Sequence, residues 1–267
     1  MMHHQGTKTP RRAQIQSPKT ERCPLAGPPC FPLSFSWCLG VLVVILSVAE
    51  GQTLKAGQAD LNDHGVFEIY SAGKSIGTEK FEIRAGPKQI EAQAEVHLRL
   101  EENGKTLEIR TTPSLILDPQ LHALSYTWSQ KGTQSSQLTI DLRSSPVHTH
   151  YKAVNGENDV RDFKLTKDVV LLDDNVVHHY QLLIARYDQT SKGKQSFHAF
   201  IPQEALPGEL TVEDMGIQPV TVEGSAEKLR HLVLTTDLAS VDLWADDQGR
   251  LEVVSVPMAQ FEAVRKK

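Results

Sequence analysis

No cysteine follows residue 38: the three in the chain, Cys23, Cys30 and Cys38, all precede an apolar run at residues 39–48. The remainder therefore has no thiol nucleophile, no cysteine-built zinc site and no disulfide framework. It must be held by its core alone, which a domain of this size can do by burying roughly 70 % of its unfolded surface. Positive charge is scarce in the same region. The first 49 residues hold Lys8, Arg11, Arg12, Lys19 and Arg22 against Glu21 alone, so the chain's 28 basic and 33 acidic residues fall to 23 and 32 beyond residue 49, a net charge of −9. That balance argues against nucleic-acid binding, which needs clustered Lys and Arg, and against an electrostatic hold on anionic membranes. Familiar catalytic motifs are absent too: there is no Gly-x-Ser-x-Gly elbow, phosphate-cradling glycine loop, His-Glu-x-x-His or Gly-x-Gly-x-x-Gly. Ser71 and Ser75 flank a glycine hairpin, where serine is ordinary. No catalytic residue is assigned and no cofactor is expected.

A spanning helix needs about 20 apolar residues. The run Leu39–Val48 reaches that length only by counting back to Phe31 through Pro32, Ser34 and Ser36. With basic residues before it and small Ser47 and Ala49 at −3 and −1, it reads as a signal peptide cleaved after Ala49, with Ala49-Glu50-Gly51 a second cleavage pattern. Left uncleaved, it would be an N-terminal anchor, the chain's one contact with a membrane. Cys38 precedes the run, so lipid attachment is not expected. The expected division is a leader at 1–49, a polar linker at 50–64 and one β-rich domain at 65–267, exported to the periplasm or secreted.

From Gly65 onward, apolar and polar residues alternate. Phe81 and Ile83 oppose Lys80, Glu82 and Arg84; Val96, Leu98 and Leu100 repeat the device, as do Leu107 with Ile109, and Leu138 with Ile140. His122, Leu124, Tyr126 and Trp128 share one parity on a further segment. Such alternation marks half-buried antiparallel strands. Turn residues separate the runs: Ala72-Gly73, Gly86-Pro87, Asn103-Gly104, Lys131-Gly132, Asn155-Gly156 and Asp246-Asp247-Gln248-Gly249. The alternation resumes after residue 195. One segment differs: Val176, Val177, Tyr180, Leu183, Ile184 and Tyr187 recur at helical spacing, predicting an amphipathic helix over about 174–187 with Asp173 or Asp174 as N-cap. So many one-sided strands cannot stay flat, because the apolar faces must meet. The expected fold is mainly β, an antiparallel, strongly curved sheet or barrel against that helix, with a β-sandwich as the alternative.

Tyr126, Trp128 and Trp244 are the candidates for lining an apolar or lipid-like ligand site, although large aromatics on an inner face commonly serve as core. His148 and His150 form a His-x-His on one strand face, a spacing that zinc and copper sites use. Val147 and Tyr151 on the opposite face make a plain solvent-exposed strand the competing reading. His178 and His179 diverge by about 100° on a helix, so one metal does not take both; His178 is expected off the apolar arc and His179 at its edge. Asp173-Asp174 and Asp246-Asp247 lack the alternating ligands of a calcium loop and read as helix cap and hairpin turn.

The hairpin Gly65–Gly77, an aromatic strand, a glycine turn and an Ile76-Gly77 step, resembles the first hairpin of bacterial exported β-rich families of unknown function. The segment Val241–Leu251 is similar to the hairpin with which such proteins close. The resemblance implies a periplasmic or envelope protein with a curved sheet like that of lipoprotein carriers, which hold acyl chains between sheet and helices. Three functions follow as expectations: a non-catalytic envelope protein that scaffolds or binds an apolar small molecule or envelope component; a metal-assisted hydrolase using His148 and His150, or an acid–base site near His179; and a cell-wall or polysaccharide-binding module.

Overall fold

The computed structural model describes residues 61–267 apart from 103, 133, 134, 154, 223 and 238. The leader, its cleavage position at Ala49, the three cysteines and most of the linker lie outside the described residues. The described residues form one compact unit.

Among the described residues, sixteen strands build one sheet. The first nine are β1 (Asp63–Ser71), β2 (Lys74–Ala85), β3 (Ile90–Glu102), β4 (Lys105–Thr111), β5 (Ser114–Leu117), β6 (Ala123–Gly132), β7 (Ser136–Asp141), β8 (Val147–Lys152) and β9 (Asn158–Phe163). After β10 (Val170–Leu171) comes the helix α1 (His178–Arg186). Then follow β11 (Lys194–Ile201), β12 (Leu206–Val222), β13 (Ser225–Thr235), β14 (Ser240–Ala245), β15 (Leu251–Val256) and β16 (Phe261–Arg265). Each predicted turn falls at or beside a strand reversal. The order is β10-β11-β12-β13-β14-β15-β16-β1-β2-β3-β4-β6-β7-β8-β9, with β5 paired to β3 and β6. Strands β4 and β5 thus fill one position in turn, and Thr112 and Pro113 form the kink between them. There Thr112 N donates to Ser129 O and Ala94 N to Pro113 O, so the ladder continues past the proline.

Curvature follows from connectivity. Laid flat, this order would hold β9 and β10 roughly 65 Å apart at the usual 4.7–4.9 Å strand spacing. Yet only residues 164–169 join them, a length that reaches at most about 25 Å. The sheet must therefore curl until its two edges face each other. The Phe163 and Phe200 rings meet across that seam at 4.9 Å. β10 and β11 are parallel, which requires a crossover, and α1 is that crossover. The expected mainly β, barrel-like fold with one helix is observed, and the sandwich is not.

The inner face holds one core, including Phe67, Ile69, Phe81, Ile83, Val96, Leu115, Ile140, Phe200, Leu232 and Leu243. On β2 and β3 the alternate positions Lys80, Glu82, Arg84, Glu95 and Arg99 are exposed. Gly77 marks a close approach: a Cβ there would lie 2.0 Å from His97 O, so the Ile-Gly step admits no larger residue. The two apolar runs at 210–212 and 220–222 belong to one long strand, β12, bent at a bulge where Gly216 takes φ 82 and donates its N–H to Asp214 Oδ1. Beyond the bulge, Val220, Val222 and Leu229 pack on Tyr70, Trp244, Val253 and Val264 in a second, smaller cluster.

Phe200 is fully buried at the seam. Phe200→Ala should cost about 3–5 kcal/mol in chemical denaturation, and a loss below about 1 kcal/mol would contradict closure through this contact.

Candidate functional site

Glu79 shares the parity of Phe81 and Ile83 on β2 and so points inward, where it is fully buried. A carboxylate in that position must find donors, and it finds them at the start of α1. Val177 N donates to Oε2 at 2.6 Å, His178 N to Oε1 at 2.7 Å, and His178 Nδ1 lies 2.8 Å from Oε1. The N-cap residue, Val177, offers no side-chain cap. Helix capping therefore comes from a strand about a hundred residues earlier, with the helix dipole adding to the hold on negative charge. This corrects the expectation of an Asp173 or Asp174 cap. Asp173 instead accepts the Tyr126 hydroxyl on one oxygen and the Gln203 N–H, at 3.0 Å, on the other.

The helix is also not one-sided. His178 and His179 are fully buried and Gln181 nearly so, together with Leu182, Leu183 and Ile184. A helix enclosed on most sides must pair its polar residues. Nε2 of both His178 and His179 is buried without a hydrogen-bond partner, but Gln181 accepts the Leu251 N–H and donates to Gly249 O, and Asp173 N donates to His179 Nδ1 at 3.3 Å. That bond assigns the His179 proton to Nε2, and the Glu79 contact assigns the His178 proton to Nδ1. The rings continue as a column: Phe67 on Phe81 (5.2 Å), Phe81 on His178 (6.0 Å), His178 against His179 (4.8 Å) and His179 against Tyr126 (5.6 Å). At its far end the Arg265 guanidinium lies over Phe67 and Phe81 and pairs with Asp63.

Burial, then the neighbouring His178, hold the His179 imidazole well below its usual range, so it is neutral. Burial, then Asp173, push the Tyr126 hydroxyl well above 10, so it stays a donor. Burial also raises the Asp173 carboxyl, against the Tyr126 bond that lowers it. Glu79, His178, His179, Asp173 and Tyr126 resemble acid–base machinery in type, but all five are buried and contact one another or the start of the helix.

Side chains toward the β9 edge are different. Cross-strand pairing sets them in rows on the inner face. One runs Tyr126–Ile140–Thr149–Arg161; the next runs Trp128–Leu138–Tyr151–Asp159; Gln130 opposite Ser136 begins a third. Polarity rises along each row toward β9. The last two rows, Thr149 and Arg161 line an open cavity of about 450 Å³, closed on its far side by the β11–β12 turn, Pro202–Ala205. Gln203 ties that turn to the strand–helix link through Asp173 and, by its side-chain amide, Asp174 O. Burial and the adjacent Glu204 raise the Asp174 carboxyl to about 6. A larger, shallower groove of about 600 Å³ crosses β2, β3, β6 and β7, lined largely by exposed residues such as Lys80, Glu82, Gln93 and Glu95.

The three aromatic candidates separate. Tyr126 is core, tied to Asp173. Trp128 is buried beneath both concavities, its Nε1 lacking a hydrogen-bond partner. Trp244 has the opposite parity to buried Leu243 and Ala245 and stacks on His231 at 4.0 Å, in the smaller cluster. Leu124 is the extra residue of a bulge, since Ile116 pairs with Ser125 and Leu117 with Ala123, so His122 and Leu124 leave the face of Tyr126 and Trp128. His148 and His150 are exposed, as the buried Val147 implied, and His148 pairs with Asp162 at 2.7 Å. Among the described residues, no group of three or more His, Cys, Asp or Glu is placed to hold a metal. Glu79, Asp159 and Arg161 were not singled out from the sequence; inward parity was the available signal for Glu79.

The architecture is that of a barrel-like β-domain built around an internal helix. No family model matches the sequence, and no curated protein is similar to it. It is similar in fold to a β-barrel-like protein of the domain of unknown function DUF1849 from Brucella abortus, with TM-score 0.52 and 12 % identity over 77 % of this chain and 95 % of that one. A DUF1089-family protein from Pseudomonas aeruginosa aligns at TM-score 0.42 and 14 % identity over 65 % of this chain and 86 % of that one.

Glu79→Ala would strand three buried donors and should cost about 3–5 kcal/mol. Glu82→Ala, which removes an exposed ion pair with Arg84, should cost under about 1 kcal/mol; equal losses in denaturant titrations would contradict the capping role. His179 gives a pH test. Below about pH 6.5 the unfolded chain binds a proton that the folded one refuses, so this residue removes stability as pH falls, by at most about 1.4 kcal/mol per unit. The raised Asp174 acts oppositely, removing stability as pH rises from about 4 towards 6, and the raised Asp173 acts in the same direction as Asp174. His179→Asn keeps an acceptor and cannot titrate. Between pH 6.5 and 5 the stability difference should move towards the variant by about 1–2 kcal/mol; a pH-independent difference would contradict a buried neutral imidazole.

Proposed function

We propose that the chain is an exported, non-catalytic cell-envelope protein that acts as a rigid scaffold and meets its ligand or partner at the open end of the barrel. One observation carries this reading: the densest acid–base cluster among the described residues is buried around the start of α1, where Glu79 caps the helix. The leader's pattern supports export. An apolar ligand enclosed by the sheet is disfavoured, because helix, ring column and aliphatic core occupy the interior. The metal-assisted reading draws no support from exposed His148 and His150. The polysaccharide-binding alternative draws support from the row that ends at Tyr151 and Asp159.

The test is expression of the whole gene product in a Gram-negative host, followed by fractionation and N-terminal sequencing. The expected product lies in the periplasm, begins at Glu50 and yields no stoichiometric lipid in organic extracts. A full-length cytoplasmic chain would overturn export, and one bound acyl lipid per chain would overturn the filled interior.

A further inference from the structure

We propose that the cavity at the open end, between the inner face of β6–β9 and the Pro202–Ala205 turn, is a binding site for a neutral saccharide of one or two pyranose rings. The cavity, about 450 Å³, falls within the 300–1,000 Å³ of ordinary small-ligand sites. Its chemistry is sorted by face. Trp128, Leu138 and Tyr151 are direct cross-strand neighbours and make one continuous apolar wall, with Tyr151 the most accessible at 37 % exposed. The row then ends at Asp159, opposite Tyr151, and the Asp159 carboxylate is 2.7 Å from the Arg161 guanidinium. These are planar groups with several donors and acceptors in fixed directions. Gln203 and Glu204 face them from the turn.

A pyranose has the matching division. Its C–H face lies on an aromatic or aliphatic wall, and its rim of hydroxyl groups donates and accepts at once, as a carboxylate–guanidinium pair requires. An acyl chain would strip water from the Asp159–Arg161 pair and from Glu204 and offer no hydrogen bond in return, which is costly. A simple anion would leave the apolar wall unused and would meet Asp159 and Glu204. The proposal deepens the reading of the open end as the place of binding and does not depend on export: a cytoplasmic chain that binds sugar would overturn only localisation.

The test is titration calorimetry, with saturation-transfer NMR, of the purified protein against maltose, cellobiose and N,N′-diacetylchitobiose, with octanoate and inorganic phosphate as competing probes. At least one disaccharide should bind with submillimolar Kd and show transfer to its ring protons. Tyr151→Ala and Asp159→Asn should each weaken it at least tenfold while thermal unfolding stays cooperative. Met258→Ala, at a remote residue 83 % exposed, should leave it unchanged. Absence of binding by all three sugars, binding of octanoate or phosphate in their place, or disaccharide binding indifferent to Tyr151→Ala and Asp159→Asn would each overturn the proposal.

Discussion

The carboxylate of Glu79, buried where α1 begins, is the contact from which the rest of the architecture follows. A charged oxygen pair inside a sheet is normally a liability. Here it supplies what the helix lacks, an N-terminal acceptor, while the helix supplies what the carboxylate lacks, directed donors. Each solves the other's desolvation problem. Because Glu79 is on β2, in the middle of the strand order, and α1 joins β10 to β11 at the edge, the contact draws the edge of a sixteen-stranded sheet over its own centre. The Phe163–Phe200 seam and the short 164–169 link are consistent with that constraint.

Filling the interior this way divides it. On the β1–β2 side the ring column, Arg265 and the aliphatic core fill the interior. On the β7–β9 side the cross-strand rows pass from Trp128 and Leu138 to Tyr151, Asp159 and Arg161, and the cavity opens there. The buried cluster and the open rows thus follow one tendency, that an inward polar group is paired within the fold or left facing water, with Trp128 Nε1 and the Nε2 atoms of His178 and His179 as buried exceptions.

Much of the fold was legible because a strand that faces core on one side must alternate, and Phe81–Ile83 or Val96–Leu98 do so cleanly. Turn positions were legible because positive φ and tight reversal favour glycine and asparagine. The helix was legible as an element but not in its surroundings. Val176, Leu183 and Tyr187 mark a stripe, whereas enclosure of His178 and Gln181 depends on partners distant in sequence, Glu79 and Gly249 with Leu251, and His179 takes the Asp173 amide six residues earlier. Likewise Glu79 resembles any strand carboxylate until its parity with Phe81 is weighed against the absence of a nearby cap. The aromatic candidates separated for two local reasons, the bulge at Leu124 and the opposite parity of Trp244. The Asp159–Arg161 end of the cavity was hidden because β9 is nearly all polar and carries no apolar alternation.

The central claim is that α1 is locked into the sheet by Glu79 and opens only when the whole barrel does. Native-state hydrogen exchange of the Val177 and His178 amides tests it most directly. Both should exchange through global unfolding, with protection equal to the full stability and the same denaturant dependence. Exchange through a low-energy, denaturant-independent local opening, with the β2–β3 ladder still protected, would contradict it.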